Sequence, residues 1–369
     1  MKIFFMKSWI YIVLLSFVLT WPATGISWAD PPPKSPDTYY NEGTEFLRTG
    51  DLPNAKASFT SSIDLLKDKT GKTDDEKKLL AEAYNNRGLA YYELAKLGQE
   101  QYSSAEDDFK DSYQWDPTHK KAVSNLALTY FEQKRYLDAK YKYLEALPTL
   151  AGSYEKPYHA DVYNNLGVCY AETDDIANAL YYYDKAIALA EASDDVDYTD
   201  AYFNKGNLYY NDKKYDQAIT LYDVTIEYFE GTLQEKVEKQ RGEEESVLER
   251  AYHNRALCYY NKGMYQEAIN DFEKALDIHP YYAWAHYGKG YAHFMLDQND
   301  AAIAEFTIIN TAESGIEQWA QFGLGLAWCK KGDFDKGLAY LNQSCDSGSC
   351  SDACDTLKLN MYASPAVKF

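Results

Sequence analysis

The sequence predicts an all-α solenoid of about eight stacked helix pairs with a C-terminal capping helix, and three coincident registers carry that prediction. Small residues recur at Gly43, Gly88, Ala127, Gly167, Gly206, Ala256, Gly290 and Gly325, separated by 34 to 50 residues. A second small residue follows 12 positions after seven of these markers, as Ala55, Ala139, Ala179, Ala218, Ala268, Ala302 and Gly337. Four residues further on stands a large apolar or aromatic side chain: Phe59, Phe109, Tyr143, Tyr183, Tyr222, Phe272, Phe306 and Leu341. An i, i+4 spacing places the second small residue and the large one on the same helical face. Two helices that meet through small residues and rings bury one stripe each and leave another bare, so such units stack on one another.

Residues 251–280 are the cleanest copy. There Tyr252, Arg255, Ala256, Tyr259, Tyr265, Ala268, Phe272, Ala275 and Pro280 resemble the pattern of a tetratricopeptide repeat, a 34-residue antiparallel helix pair. The resemblance implies a right-handed α-solenoid. Repeats are expected near 37–69, 81–117, 120–151, 160–191, 199–230, 249–282, 283–312 and 318–344, within an array spanning 37–344. In the second of them Ala105 lies 17 rather than 12 residues after Gly88, so an insertion is expected around LAKLGQEQ. Spacings of 39 and 40 residues put extra length after the second helices, resembling the longer repeats of the kinesin light chain group. The charged insertions KDKTGKTDDEKK and GTLQEKVEKQRGEEESV lack an apolar stripe, and the second reads as a solvated helical extension.

Outside the array, residues 1–29 read as a secretory signal. Lys2 and Lys7 make a positive start, an apolar run follows, and Ser27-Trp28-Ala29 resembles a cleavage site. The run from Trp9 to Trp21 is 13 residues long, short of the roughly 20 that span a bilayer. No stable membrane insertion is therefore expected once the signal is removed, and the chain is expected to be periplasmic or extracellular. Residues 30–36 are a proline-rich linker. Residues 345–369 resemble the cysteine-bearing helices of Sel1-like repeats and would cap the array, whose last apolar face otherwise meets water.

Net charge is -20, which argues against a phosphate-backbone ligand, because such binding runs on Lys and Arg releasing counterions. No nucleic acid is expected. Cys169, Cys258 and Cys329 fall within first helices of separate repeats and read as buried thiols. Cys345, Cys350 and Cys354 cluster, and Cys345 with Cys354 is the expected bridge, although six cysteines do not fix their own connectivity. His286 and His293 replace Tyr in the seventh repeat and read as core residues. With no third ligand spaced to join them, no metal is expected, and no cofactor or catalytic residue either.

Function is expected on the inward face of the first helices. Two residues before each marker stand Asn41, Asn86, Asn125, Asn165, Asn204 and Asn254, then Gly288 and Gly323. The series resembles the asparagine ladder of the O-linked N-acetylglucosamine transferase family, which implies contact with a peptide backbone through amides that donate and accept together. An alternative reading keeps these asparagines as packing between repeats. Around them the N-terminal half offers an acidic groove of Glu82, Glu93, Glu132, Asp161, Glu172 and Asp200. The C-terminal half offers an aromatic one of Tyr260, Trp284, Tyr287, Tyr291, Phe294, Trp319 and Phe322. His253 and Tyr260 stand beside Asn254, near the change from one to the other. Neutral residues such as Asn85 and Ser124 occupy the places of the basic clamp that chaperone-binding repeats use for a free carboxylate. The expected function is a non-enzymatic protein–protein interaction scaffold in the bacterial envelope, holding an extended or basic peptide or protein segment. A glycan-binding or hydrolytic envelope protein using the aromatic end, or a structural oligomerisation module, stands as the alternative.

Overall fold

A computed structural model describes residues 34–150, 156–191, 199–233, 241–311 and 315–346, and among these every regular element is an α-helix. The expected signal, residues 30–33 of the expected linker, and residues 347–369 of the expected cap lie outside the described residues, and Pro36, expected to close the linker, is instead the first residue of a helix. The helices form eight consecutive pairs. They begin with α1 (Pro36–Thr49) and α2 (Leu52–Leu66), α3 (Asp74–Lys96) and α4 (Tyr102–Trp115), α5 (Lys120–Glu132) and α6 (Tyr136–Leu150), and α7 (Lys156–Ala171) and α8 (Ile176–Glu191). They continue with α9 (Thr199–Asn211) and α10 (Tyr215–Leu233), α11 (Arg241–Asn261) and α12 (Tyr265–Ile278), α13 (Ala283–Met295) and α14 (Asn299–Thr311), and α15 (Glu317–Lys331) and α16 (Phe334–Asp346). The second-pair insertion is visible as the 23-residue α3, which starts with a Thr73–Glu76 capping box, and as the connection across 97–101.

Within each pair the marker residue faces the large side chain of the second helix, a ring in the first seven pairs and Leu341 in the eighth. A Cβ placed on Gly167 would lie 2.5 Å from the Tyr183 ring, and one on Gly88 2.8 Å from Phe109. Phe59, Phe109, Tyr143, Tyr222, Phe272 and Phe306 are thereby fully buried, each contributing on the order of 1.5–3 kcal/mol of transfer free energy.

The turn inside each pair is equally regular. Seven residues after the marker the chain enters the left-handed region at Gly50, Lys134, Asp174, Lys213, Gly263, Asp297 and Gly332, with φ between 59° and 95°. The amide of that residue and the next bond back to the end of the first helix, as in Gly263 N–H to the Tyr260 carbonyl at 3.0 Å and Met264 N–H to the Tyr259 carbonyl at 2.9 Å. This is the double-bonded helix stop that satisfies the last carbonyls. Only the second pair departs, with Gly98 in that role.

Successive pairs pack asymmetrically. Every first helix touches the first helix of the next pair, from α1 against α3 through α13 against α15, whereas among the described residues no second helix touches the next second helix. Small markers on the inside and rings on the outside wedge the pairs, so the first helices gather on a concave face and the second helices splay on a convex one. Charges lock the wedge. Arg255 donates to Asp271 of its own pair at 2.7 and 2.8 Å and to Asp223 of the preceding pair at 2.6 Å. Lys289 does the same with Glu305 and Glu273 at 3.0 and 3.1 Å. Arg87 grips the buried Asp108 with two bonds of 2.8 and 2.7 Å.

The left-handed turn residues are a direct test. Replacing Lys213 with Gly should raise stability by about 0.5–1 kcal/mol, since an L-residue there is strained by about 1–2 kcal/mol and glycine returns part of that as chain entropy. Gly263→Val should lower stability by about 1–2 kcal/mol by the same strain. Urea unfolding of the two variants measures both signs, and equal midpoints would show that the turns are not held in this conformation.

Candidate protein-binding face

The concave face is built from rows of side chains at fixed offsets from the markers. Six residues before each marker lies Asp37, Glu82, Lys121, Asp161, Asp200, Arg250, Trp284 or Trp319, and all eight are exposed. This row runs across every first helix. It starts largely acidic, is interrupted by Lys121 and Arg250, and ends in two tryptophans that are 46% and 40% exposed. Sequence inspection found five of its members but split them between two grooves, and it passed over Lys121 and Arg250 because it looked for acids and aromatics rather than for one register.

Although Asp161 is open to solvent, burial of its carboxyl among protein atoms raises its pKa and the Asp200 carboxylate on the next first helix raises it further, to about 6. The remaining carboxylates of the expected acidic groove differ among themselves. Glu93 lies 4.0 Å from Lys96, and Glu132 accepts from the Tyr92 hydroxyl at 3.3 Å. Glu82 and Glu172 are exposed.

The asparagine series points elsewhere than into open groove. Asn125 donates its amide to Asn85 at 2.9 Å, Asn204 to Asn164 at 3.1 Å, and Asn254 to Asn207 at 2.8 Å, each on the preceding first helix. Asn86 reaches the Tyr40 hydroxyl at 3.2 Å and Asn165 the Tyr143 hydroxyl at 3.1 Å, again in the preceding pair. Asn41, which has no pair before it among the described residues, is exposed. The series ends for a steric reason. A Cβ on Gly288 would lie 2.3 Å from the Phe272 ring, and one on Gly323 2.7 Å from Phe306. At this offset in the last two pairs the chain lies directly against the preceding pair's ring, which would have to shift to admit any side chain.

The expected aromatic groove divides: Phe294 is buried, Tyr260, Tyr287, Tyr291 and Phe322 are half-buried, and Trp284 and Trp319 are exposed. Phe294 is only 8% exposed, which removes it from any binding surface. Tyr287 and Tyr291 pack on each other at 4.8 Å and on Phe306 at 6.0 and 5.1 Å. Phe322 packs against the same core, and Tyr260 stacks edge-on against Tyr265 at 5.4 Å, with burial pushing its phenol up to about 12. His253, expected beside Asn254 on the presented surface, is instead buried between Phe272 and Tyr282, and burial lowers its pKa to about 4. These side chains turn inward because a neighbouring pair covers them, a fact the sequence of one repeat does not contain.

Histidine 286 is buried as a core residue, but as an ionic one. Its Nδ1 lies 2.6 Å from Glu305 and its Nε2 3.0 Å from the Pro280 carbonyl. Burial alone would lower its pKa, yet these two acceptors outweigh it and leave the imidazole raised. His293 lies 2.6 Å from Gln298. Cys169, Cys258 and Cys329 are free and buried, and burial pushes the first two thiols up to about 12. The side chain of Cys345, and all of Cys350 and Cys354, lie outside the described residues. Among those described, no group of three or more His, Cys, Asp or Glu is placed to hold a metal ion, and no helix is long and apolar enough to cross a membrane.

With this geometry in hand, comparison with known families is decisive for three stretches. Residues 121–192, 200–232 and 249–282 match tetratricopeptide repeat models. These stretches are tetratricopeptide repeats. Among solved structures, the chain is similar to a tetratricopeptide repeat protein from Parabacteroides merdae, with 17% identity over 79% of this chain and 98% of that one and a TM-score of 0.51. It is also similar to the apo form of RapI, with 12% identity over 84% of this chain and 85% of that one and a TM-score of 0.60. At these identities the likeness is one of fold. No curated protein matches in sequence.

Two measurements probe the repeat contacts. Changing Asn86, Asn165 and Asn204 together to Ala should destabilise the array by about 0.5–1.5 kcal/mol per lost bond. An unchanged melting temperature would free these amides from a packing role. Because His286 has a raised folded pKa, its contribution is fully present below about pH 6.5 and lost as pH rises through that folded value. Thermal melts of His286→Gln should therefore fall further below wild type at about pH 5.5 than at about pH 8.5, and equal losses would mean a neutral ring.

Proposed function

We propose that the chain is an exported, non-enzymatic scaffold of the cell envelope that holds an extended, basic protein segment along the concave face of its repeats. The observation that carries this reading is the row six residues before the markers, which stays exposed on all eight first helices. It is a continuous line of exposed side chains that a partner lying across the first helices would meet. Its central carboxylates favour a cationic occupant. The half-buried asparagines can add weaker backbone contacts through carbonyl oxygens, each worth about 1 kcal/mol net, although that of Asn86 already accepts from Asn85 at 3.0 Å. Export rests on the N-terminal sequence, with its basic start, short apolar run and small-residue cleavage pattern.

Asp161 gives the reading a pH signature. A cation beside it favours the ionised carboxylate, so binding must displace a proton wherever Asp161 is protonated. Affinity for a basic segment is expected to hold above pH 6 and to weaken as pH falls through the Asp161 pKa of about 6. Fluorescence anisotropy with an arginine-rich peptide and its glutamate counterpart tests this. The arginine peptide should bind near neutral pH and lose affinity in mild acid, and Asp161→Asn or Asp200→Asn should each weaken it by up to about fivefold. Equal binding of both peptides, or retention of a cell-wall glycan instead of either, would overturn the reading.

A further inference from the structure

The second half of the exposed row carries more information than its charge. Asp161 stands on α7, Asp200 on α9, Arg250 on α11, Trp284 on α13 and Trp319 on α15, all at one offset from their markers and all exposed. Trp284 and Trp319 are large apolar groups left in solvent on consecutive helices. Their neighbours Tyr287, Tyr291 and Phe322 are half-buried against the core, so the tryptophans stay outside by register rather than for want of a hydrophobic interior. The same two repeats are those whose asparagine is replaced by glycine, at Gly288 and Gly323. Amide and carboxylate chemistry thus stops where tryptophan begins.

Packed helices lie about 8–10 Å apart, and an extended chain advances about 3.3 Å per residue. One step from a first helix to the next therefore corresponds to about three residues of an extended occupant. We propose that the concave face reads a bipartite segment at a three-residue repeat: two basic residues opposite Asp161 and Asp200, an acidic or small residue opposite Arg250, and two apolar residues opposite Trp284 and Trp319. This rests on the reading of the concave face given above and deepens it from a preference for positive charge to a sequence pattern. Charge complementarity fixes the first three positions. The exposed indoles fix the last two, since tryptophan is the side chain that most often concentrates binding energy at interfaces. The amide series cannot supply the selectivity, because five of its members already donate to the preceding repeat.

The probe is a synthetic peptide in which two arginines, one glutamate and two leucines follow one another at every third position, with serine or threonine between. It is compared with the reversed order, with the same residues at every second position, and with both leucines changed to serine. The full-length mature chain is titrated with each while tryptophan emission is followed. The three-residue spacing, in the forward or reversed order, should bind about tenfold more tightly than the compressed peptide. Trp284→Ala or Trp319→Ala should weaken it by about thirtyfold, the size of an interface hot spot, while leaving the serine peptide unaffected. Circular dichroism of the two variants confirms that the array is intact. If the serine peptide binds as well as the leucine one, or spacing has no effect, the pattern is overturned while the basic-segment reading survives. If no arginine-containing peptide binds, both fall.

Discussion

Everything in this molecule follows from one close approach, between a side chain of glycine or alanine size on the first helix of each pair and a large buried side chain, a ring in all but the last, on the second. The contact at Gly167 and Tyr183, or Gly88 and Phe109, leaves no room for a further carbon. It brings the first helices near enough to touch one another in succession while the second helices diverge. Curvature, the concave face, and the row of side chains left exposed on it are geometric consequences. Since each pair contacts only its neighbours, stability is distributed along the array rather than held in one core.

Register between pairs is set by polar groups rather than by apolar packing alone. Arg255 ties together acids of two pairs, as does Lys289, and asparagine amides bridge successive first helices. A half-buried bidentate pair is costly to break from one side, by about 3–5 kcal/mol, so these contacts penalise slippage of one pair over the next. That precision is what a face reading one side chain per repeat requires. A looser stack could offer a negative surface but not a spaced one.

The eight pairs were legible in the sequence because the small and large residues that build them recur at fixed offsets and must do so for the helices to meet. The turns were equally readable in principle: Gly50, Gly263 and Gly332 stand seven residues after their markers, but Lys134, Asp174, Lys213 and Asp297 hide the rule by tolerating the same strain. The basic residue preceding the marker, seen in Arg87, Lys205, Arg255 and Lys289, signalled the ionic bridges and was missed because its acids lie on another helix. Surface assignments fared least well. Phe294 and His253 carry no local mark of burial, since what covers them is the neighbouring pair. The asparagine series was visible at once, yet its direction, toward the preceding repeat, depends on which polar side chains the preceding pair presents.

The account places recognition on the first helices and leaves the second helices as scaffold. Hydrogen–deuterium exchange of the intact chain, with and without a saturating bound segment, separates these roles most directly. The account predicts slowed exchange along α7, α9, α11, α13 and α15, with α8, α10, α12 and α14 unchanged. Protection concentrated on those second helices, or confined to either end of the array, would contradict it.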